Sequence, residues 1–134
     1  MQQHERIKKT ILLASGKSSE MDSIESSLSS SEYRIIRAQN FHSLINSIFH
    51  YRVHLLITAV ELPDISMVSF LPFLREWFQD IKVIITMKPS NPDLERFLRK
   101  YNILYVMHWP INERLLASIV EKGMEKYERE LVSA

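Results

Sequence analysis

Apolar residues recur along this chain in two alternating rhythms. Short runs at 10–14, 33–38, 53–60, 82–87 and 103–107 are rich in aliphatic and β-branched residues and read as strands. The run from Val53 to Val60 is the most continuous, with β-branched side chains at Val53, Ile57, Thr58 and Val60. Such a run predicts a strand buried on both faces, as in the middle of a parallel sheet. It ends at Leu62-Pro63-Asp64, a turn that feeds a helix from about Ser66.

Between these runs the spacing lengthens to three and four residues. Met21, Ile24 and Leu28 mark a first helix over 19–29, with Ser18 and Ser19 as candidate N-caps and Glu20 and Asp22 in the first turn. Its serine-rich stretch, 23–31, is read as a solvated helix face. Asn40 is placed to cap a second helix with the stripe Phe41, Leu44, Ile45, Ile48 and Phe49. A third, over 66–78, turns Met67, Phe70, Leu71, Leu74, Trp77 and Phe78 inward. Ser90-Asn91-Pro92 opens a fourth, since proline suits the first helical position; its stripe is Leu94, Phe97, Leu98 and Tyr101. Asn112 caps a fifth, whose apolar side is Leu115, Leu116, Ile119, Val120, Met124, Tyr127 and Leu131. Five strands alternating with five helices predict an α/β domain, a five-stranded parallel sheet with helices on both faces and right-handed crossovers.

The 134 residues fit one domain. Residues 1–8 are a polar lead-in, 9–128 the domain, and 129–134 a helix end or connector that outruns it. Seventeen basic and sixteen acidic residues leave a net +1, which gives no overall pull toward nucleic acid or anionic lipid. No cysteine is present, so disulfides, thiolate catalysis and cysteine zinc sites are excluded. No apolar run reaches membrane-spanning length, and the first residues lack the apolar core of a signal peptide. The expected location is the cytoplasm.

Function in an open α/β sheet gathers at the carboxyl ends of its strands. Here the central strand ends in Thr58, Ala59 and Val60, none of which can do acid–base or metal work. Glu61 and Asp64 flank the turn that follows and read as solvated turn carboxylates. Ser15-Gly16-Lys17-Ser18 lacks the first glycine of a phosphate loop. The histidines, His4, His42, His50, His54 and His108, share no metal-ligand spacing on one helix. Lys8-Lys9 and Arg96, Arg99 and Lys100 are small basic spots expected to be solvated. No cofactor and no metal is expected.

The order, length and punctuation over residues 9–128 resemble the receiver domain of bacterial two-component response regulators, a flavodoxin-like fold. Glu61-Leu62-Pro63-Asp64 is similar to that family's Leu-Pro turn after the third strand. Thr86, ending Lys-Val-Ile-Ile-Thr, is similar to its hydroxyl residue at the end of the fourth. Trp109-Pro110-Ile111-Asn112-Glu113 is similar to the stretch that opens its fifth helix. The resemblance implies a phosphoryl-accepting aspartate four residues before Pro63, where this chain has Ala59. It implies a magnesium-binding acidic pair after the first strand, where Ala14, Ser15 and Gly16 stand. It implies a lysine where Trp109 stands, and a swinging aromatic at Val106, with Tyr105 one place earlier. Only Thr86 keeps the family's residue type. Magnesium needs hard oxygen ligands, an alanine has no nucleophilic oxygen, and the developing phosphoryl charge would meet no cation.

The expectation is therefore a non-enzymatic, phosphorylation-independent pseudo-receiver that works through protein contacts in signal transduction or transcription control. Its partner would be another protein, a second copy, or a fused output domain reached through the fifth helix. Neither direct nucleic-acid binding nor membrane contact is expected. The candidate surface is helix four, strand five and helix five: Arg96, Arg99, Tyr105, His108, Trp109, Arg114 and Glu121. Trp109 has two readings, a plug in the vacated pocket or an exposed anchor beside Tyr105 and His108. The alternative function is a small-ligand sensor using the emptied strand-end pocket, where small residues leave room.

Overall fold

A computed structural model describes residues 8–28, 32–89 and 91–133. The elements alternate as expected: β1 (Lys9–Ala14), α1 (Ser18–Ser27), β2 (Tyr33–Ala38), α2 (Phe41–His50), β3 (Leu55–Ala59), α3 (Met67–Trp77), β4 (Lys82–Met87), α4 (Pro92–Arg99), β5 (Tyr105–His108) and α5 (Glu113–Ser133). All strand pairs are parallel, in the order β2-β1-β3-β4-β5. The chain moves outward from β1 in one direction, then crosses to β3 and proceeds the other way. The lead-in residues 1–7, the serines at 29–31, Ser90 and Ala134 lie outside the described residues.

Alternation within the strands divides the core between the two faces of the sheet. Leu12, Leu56, Val83, Ile85 and Val106 join Leu44, Phe70, Leu71, Leu74 and Leu98 from α2, α3 and α4. Ile11, Leu13, Leu55, Ile57, Ile84 and Met107 join Met21, Ile24, Leu116, Val120 and Met124 from α1 and α5. Because both faces are covered, β3 and β4 are buried almost throughout, which is why their sequences show no polar alternation.

The helix starts follow the asparagines. Asn40 accepts the Ser43 N–H at 2.8 Å, Asn91 that of Leu94 at 3.0 Å, and Asn112 that of Leu115 at 3.0 Å. α1 departs from expectation: Ser18 lies inside the helix, the N-cap is Lys17, and no side chain caps the first turn. β3 is shorter than the apolar run, and β5 begins two residues later than expected, at Tyr105.

Two aromatic positions counted as inward are outward. Trp77 is 64% exposed and Phe49 66% exposed. Each stands in the last turn of its helix. Leu115 and Leu131, assigned to the apolar side of α5, are also largely exposed. α5 is nevertheless held to the sheet far along its length. Tyr127 is buried, and its hydroxyl accepts from Arg52 Nε at 3.0 Å. Glu128 pairs with Lys9 and Glu130 with Lys82.

Candidate functional site

The parallel register gathers the strand ends into one edge. Ala14 lies beside Thr58, Ala59 beside Thr86, and Met87 beside His108. The ladder runs on briefly: Val60 N–H donates to Thr86 O at 3.2 Å, and Trp109 N–H to Met87 O at 3.0 Å. Above this edge lies a cleft of about 580 Å³. Of the residues singled out from the sequence, Ser15, Gly16, Ala59, Glu61, Thr86 and Trp109 are among those that line it. Ala14 is buried beneath.

Gly16 is required by a close approach. A Cβ there would sit 2.8 Å from Pro63 Cγ and 3.0 Å from its Cδ. The bare backbone of the loop after β1 thus packs against the Leu-Pro turn after β3, and together they wall one side of the cleft.

Trp109 is half-buried, packed against the α1–α5 side of the core while lining the cleft beside Met87. It neither fills the cleft nor stands out as a free anchor. Tyr105 is half-buried in the same cluster. Its neighbour His108 places Nε2 3.0 Å from Glu95 Oε2, while Arg99 holds Oε1 of the same carboxylate at 2.6 Å. The bond from Arg99, and then that from His108, holds the Glu95 carboxyl below its ordinary range. Arg96 pairs with Asp93 within α4. Arg114 and Glu121 are exposed on α5. The α4–β5–α5 face is thus mostly charged, and its aromatic rings are partly covered.

The turn carboxylates are occupied locally. Asp64 accepts the Phe41 N–H at 2.7 Å and that of His42 at 3.1 Å, so it caps α2 from across the sheet edge. These bonds, Phe41's first, hold its pKa below the ordinary value. Glu61 accepts from Ser66 Oγ at 2.8 Å. Among the described residues no group of three His, Cys, Asp or Glu is placed to hold a metal ion.

Sequence reasoning missed Glu20 and Lys88 at this edge, and Lys17 entered it only in the rejected phosphate-loop pattern. Glu20 returns to the cleft because α1 turns it back over Ser15, whose Oγ donates to it at 2.7 Å. Glu20 lies five residues beyond Ser15, inside α1 and not in the loop that follows β1. Lys88 directly follows β4, outside the motifs that carry the resemblance.

The fold is that of response-regulator receiver domains, an α/β, flavodoxin-like arrangement. Similar solved structures include the signal receiver domain assigned to a LuxO repressor protein of Vibrio parahaemolyticus, at TM-score 0.87 and 20% identity over 95% of this chain and 98% of that one. The receiver domain of an HD domain-containing protein from Pseudomonas fluorescens Pf-5 matches at 0.85 and 18% identity, over 98% of each chain. The beryllofluoride-activated NtrC4 receiver domain, solved as a dimer, matches at 0.81 and 19% identity over 88% of this chain and 98% of that one. No protein-family model and no curated protein matches the sequence. Among the described residues, no helix is long and apolar enough to cross a membrane.

Proposed function

We propose that this chain is a regulatory receiver-fold domain that acts through protein contacts without accepting a phosphoryl group. The observation that carries this reading is the composition of the strand-end site. Ala59 offers no nucleophile, and Ala14, Ser15 and Gly16 offer no metal-binding carboxylate. The two acids that line the cleft, Glu20 and Glu61, are engaged by serine hydroxyls. Phosphoryl transfer depends on positioning and on cationic stabilisation of the transferring group, and this constellation lacks the acceptor those cations would serve. The test is incubation with acetyl phosphate and magnesium followed by intact mass. No added phosphoryl group is expected; a stoichiometric, base-labile adduct on Glu20, Glu61 or Asp64 would overturn the reading.

Two surfaces compete for the partner. The α4–β5–α5 face offers Arg96, Arg99, Arg114 and Glu121 around the half-buried Tyr105, His108 and Trp109. Helices α2 and α3 offer Phe49, Phe73 and Trp77, each more than half exposed, with the Phe73 and Trp77 rings 6.0 Å apart edge to face. Charged rims chiefly set association rate and salt dependence, whereas aromatic anchors set affinity. Sedimentation of Tyr105→Ala, Arg99→Glu and Trp77→Ala separates them. Loss of self-association or partner binding in the first two variants locates the contact on α4–β5–α5, and loss in the third locates it on α2–α3.

A second reading, a small-ligand sensor, is favoured by one observation. The strand-end cleft is open, and its volume falls in the range of small-molecule sites.

A further inference from the structure

We infer that the strand-end cleft binds a small aromatic organic anion, a flat apolar body carrying one carboxylate or sulfonate-like group. The inference rests on the sensor reading of this cleft and adds the class of ligand.

The apolar part follows from the walls. Trp109, Met87, Leu94 and Pro63 surround a volume of about 580 Å³, large enough for a two-ring body. Trp109 is anchored by its packing against the core, so its ring offers a fixed flat surface rather than a mobile one. A rigid aromatic wall gives contact area at little cost in conformational entropy.

The sign of the charge follows from how the rim is paired. Glu20 and Glu61 each accept a serine hydroxyl, at 2.7 and 2.8 Å, which tethers both carboxylates to the walls. Lys17 and Lys88 are exposed on the same rim, and neither takes part in an ion pair among the described residues. The rim is formally balanced, but the two carboxylates are tethered to serines of the walls while the two ammonium groups are free to turn onto a ligand, which favours an anion. Thr86, its side chain at the floor of the cleft, supplies a hydroxyl for the ligand's polar end.

The experiment compares two probes on the whole chain: anilinonaphthalene sulfonate, which is anionic, and N-phenylnaphthylamine, a neutral analogue of similar shape. Binding is read by dye fluorescence and by energy transfer from Trp109 in a Trp77→Phe background, where Trp109 is the sole tryptophan. The sulfonate should bind at one site, about tenfold more tightly than the neutral probe, a difference of about 1.4 kcal/mol. Lys17→Glu with Lys88→Glu, both at exposed positions, should abolish that preference and leave the neutral probe within about twofold. Ala59→Leu, which extends a side chain into the cleft, should weaken both probes, and Phe73→Ser on the distant aromatic surface should weaken neither. Equal affinity for the two probes, insensitive to the lysine reversals, overturns the anion assignment while leaving a ligand cleft. Failure of both probes to bind, or binding lost in Phe73→Ser, overturns the cleft as a ligand site altogether.

Discussion

Lys82 opens β4 with its side chain 5% exposed, and its ammonium is paired with Glu130 of α5, whose side chain is 48% exposed. Removing one partner of a fully buried pair costs about 3–5 kcal/mol, because the other charge stays buried and unpaired. An exposed pair contributes about 0–1 kcal/mol. This pair lies between the limits: the cation is buried, the anion is half in water, and a lysine stem can carry its head toward solvent. Glu130→Ala should therefore cost about 2 kcal/mol, lowering the melting midpoint by roughly 6–8 °C for a chain of this size. Glu130→Gln keeps an acceptor and loses the charge, so about 1 kcal/mol is expected. Glu128→Ala breaks the more exposed pair with Lys9 and should cost less than Glu130→Ala. The assay is urea unfolding followed by far-UV circular dichroism, repeated in a Lys82→Met background. There Glu130→Ala should cost less than about 0.5 kcal/mol, since no buried charge remains to be stranded. Equal costs in the two backgrounds, or a Glu130 variant no weaker than the Glu128 one, would refute the reasoning. The bond from Lys82 holds the Glu130 carboxyl below its ordinary 4.5. Its contribution is accordingly complete above that pH and is lost as pH falls beneath it.

Ala59→Asp places a carboxylate at a half-buried position facing an open cleft, so the expected loss at neutral pH is about 1 kcal/mol, and acetyl phosphate with magnesium should still leave no adduct; a loss above about 3 kcal/mol in urea unfolding would mean the position is sealed. His54 accepts the Thr10 N–H on Nδ1 at 3.0 Å, and burial, followed by Arg52 and Lys9, pushes its pKa below 6.5. The unfolded chain therefore binds the proton more readily, so stability should be complete above pH 6.5 and decline as pH falls through it toward 5; denaturant midpoints that run level from pH 7 to 5, or that decline equally in His54→Gln, would contradict this. Gly16→Ala drives a Cβ to 2.8 Å from the Pro63 ring, which cannot swing aside as a flexible side chain would, so a loss of about 1–2 kcal/mol is expected by thermal melting.

The chain's own residue order determined the architecture. Continuous apolar runs at β3 and β4, helical stripes between them, and asparagines before three helices specify a doubly covered parallel sheet, because each is a local requirement of burial or of unpaired helix N–H groups. The same local logic read the strand ends: Ala59 and the residues after β1 lack carboxylates whatever surrounds them. What the sequence did not disclose depends on distance through space. Trp77 and Phe49 keep helical spacing yet emerge into solvent, because periodicity gives a direction around the helix and not what the rest of the chain lays over that position. Lys82 occupies the first position of a strand, where lysine is ordinarily solvated, and only the return of α5 both buries it and supplies Glu130. The cleft likewise exists only once four strand ends are aligned. Tertiary packing brought Lys17, Glu20 and Lys88 to its rim and set Trp109 into its wall, joining residues that lie as far apart in the chain as Ser15 and Trp109.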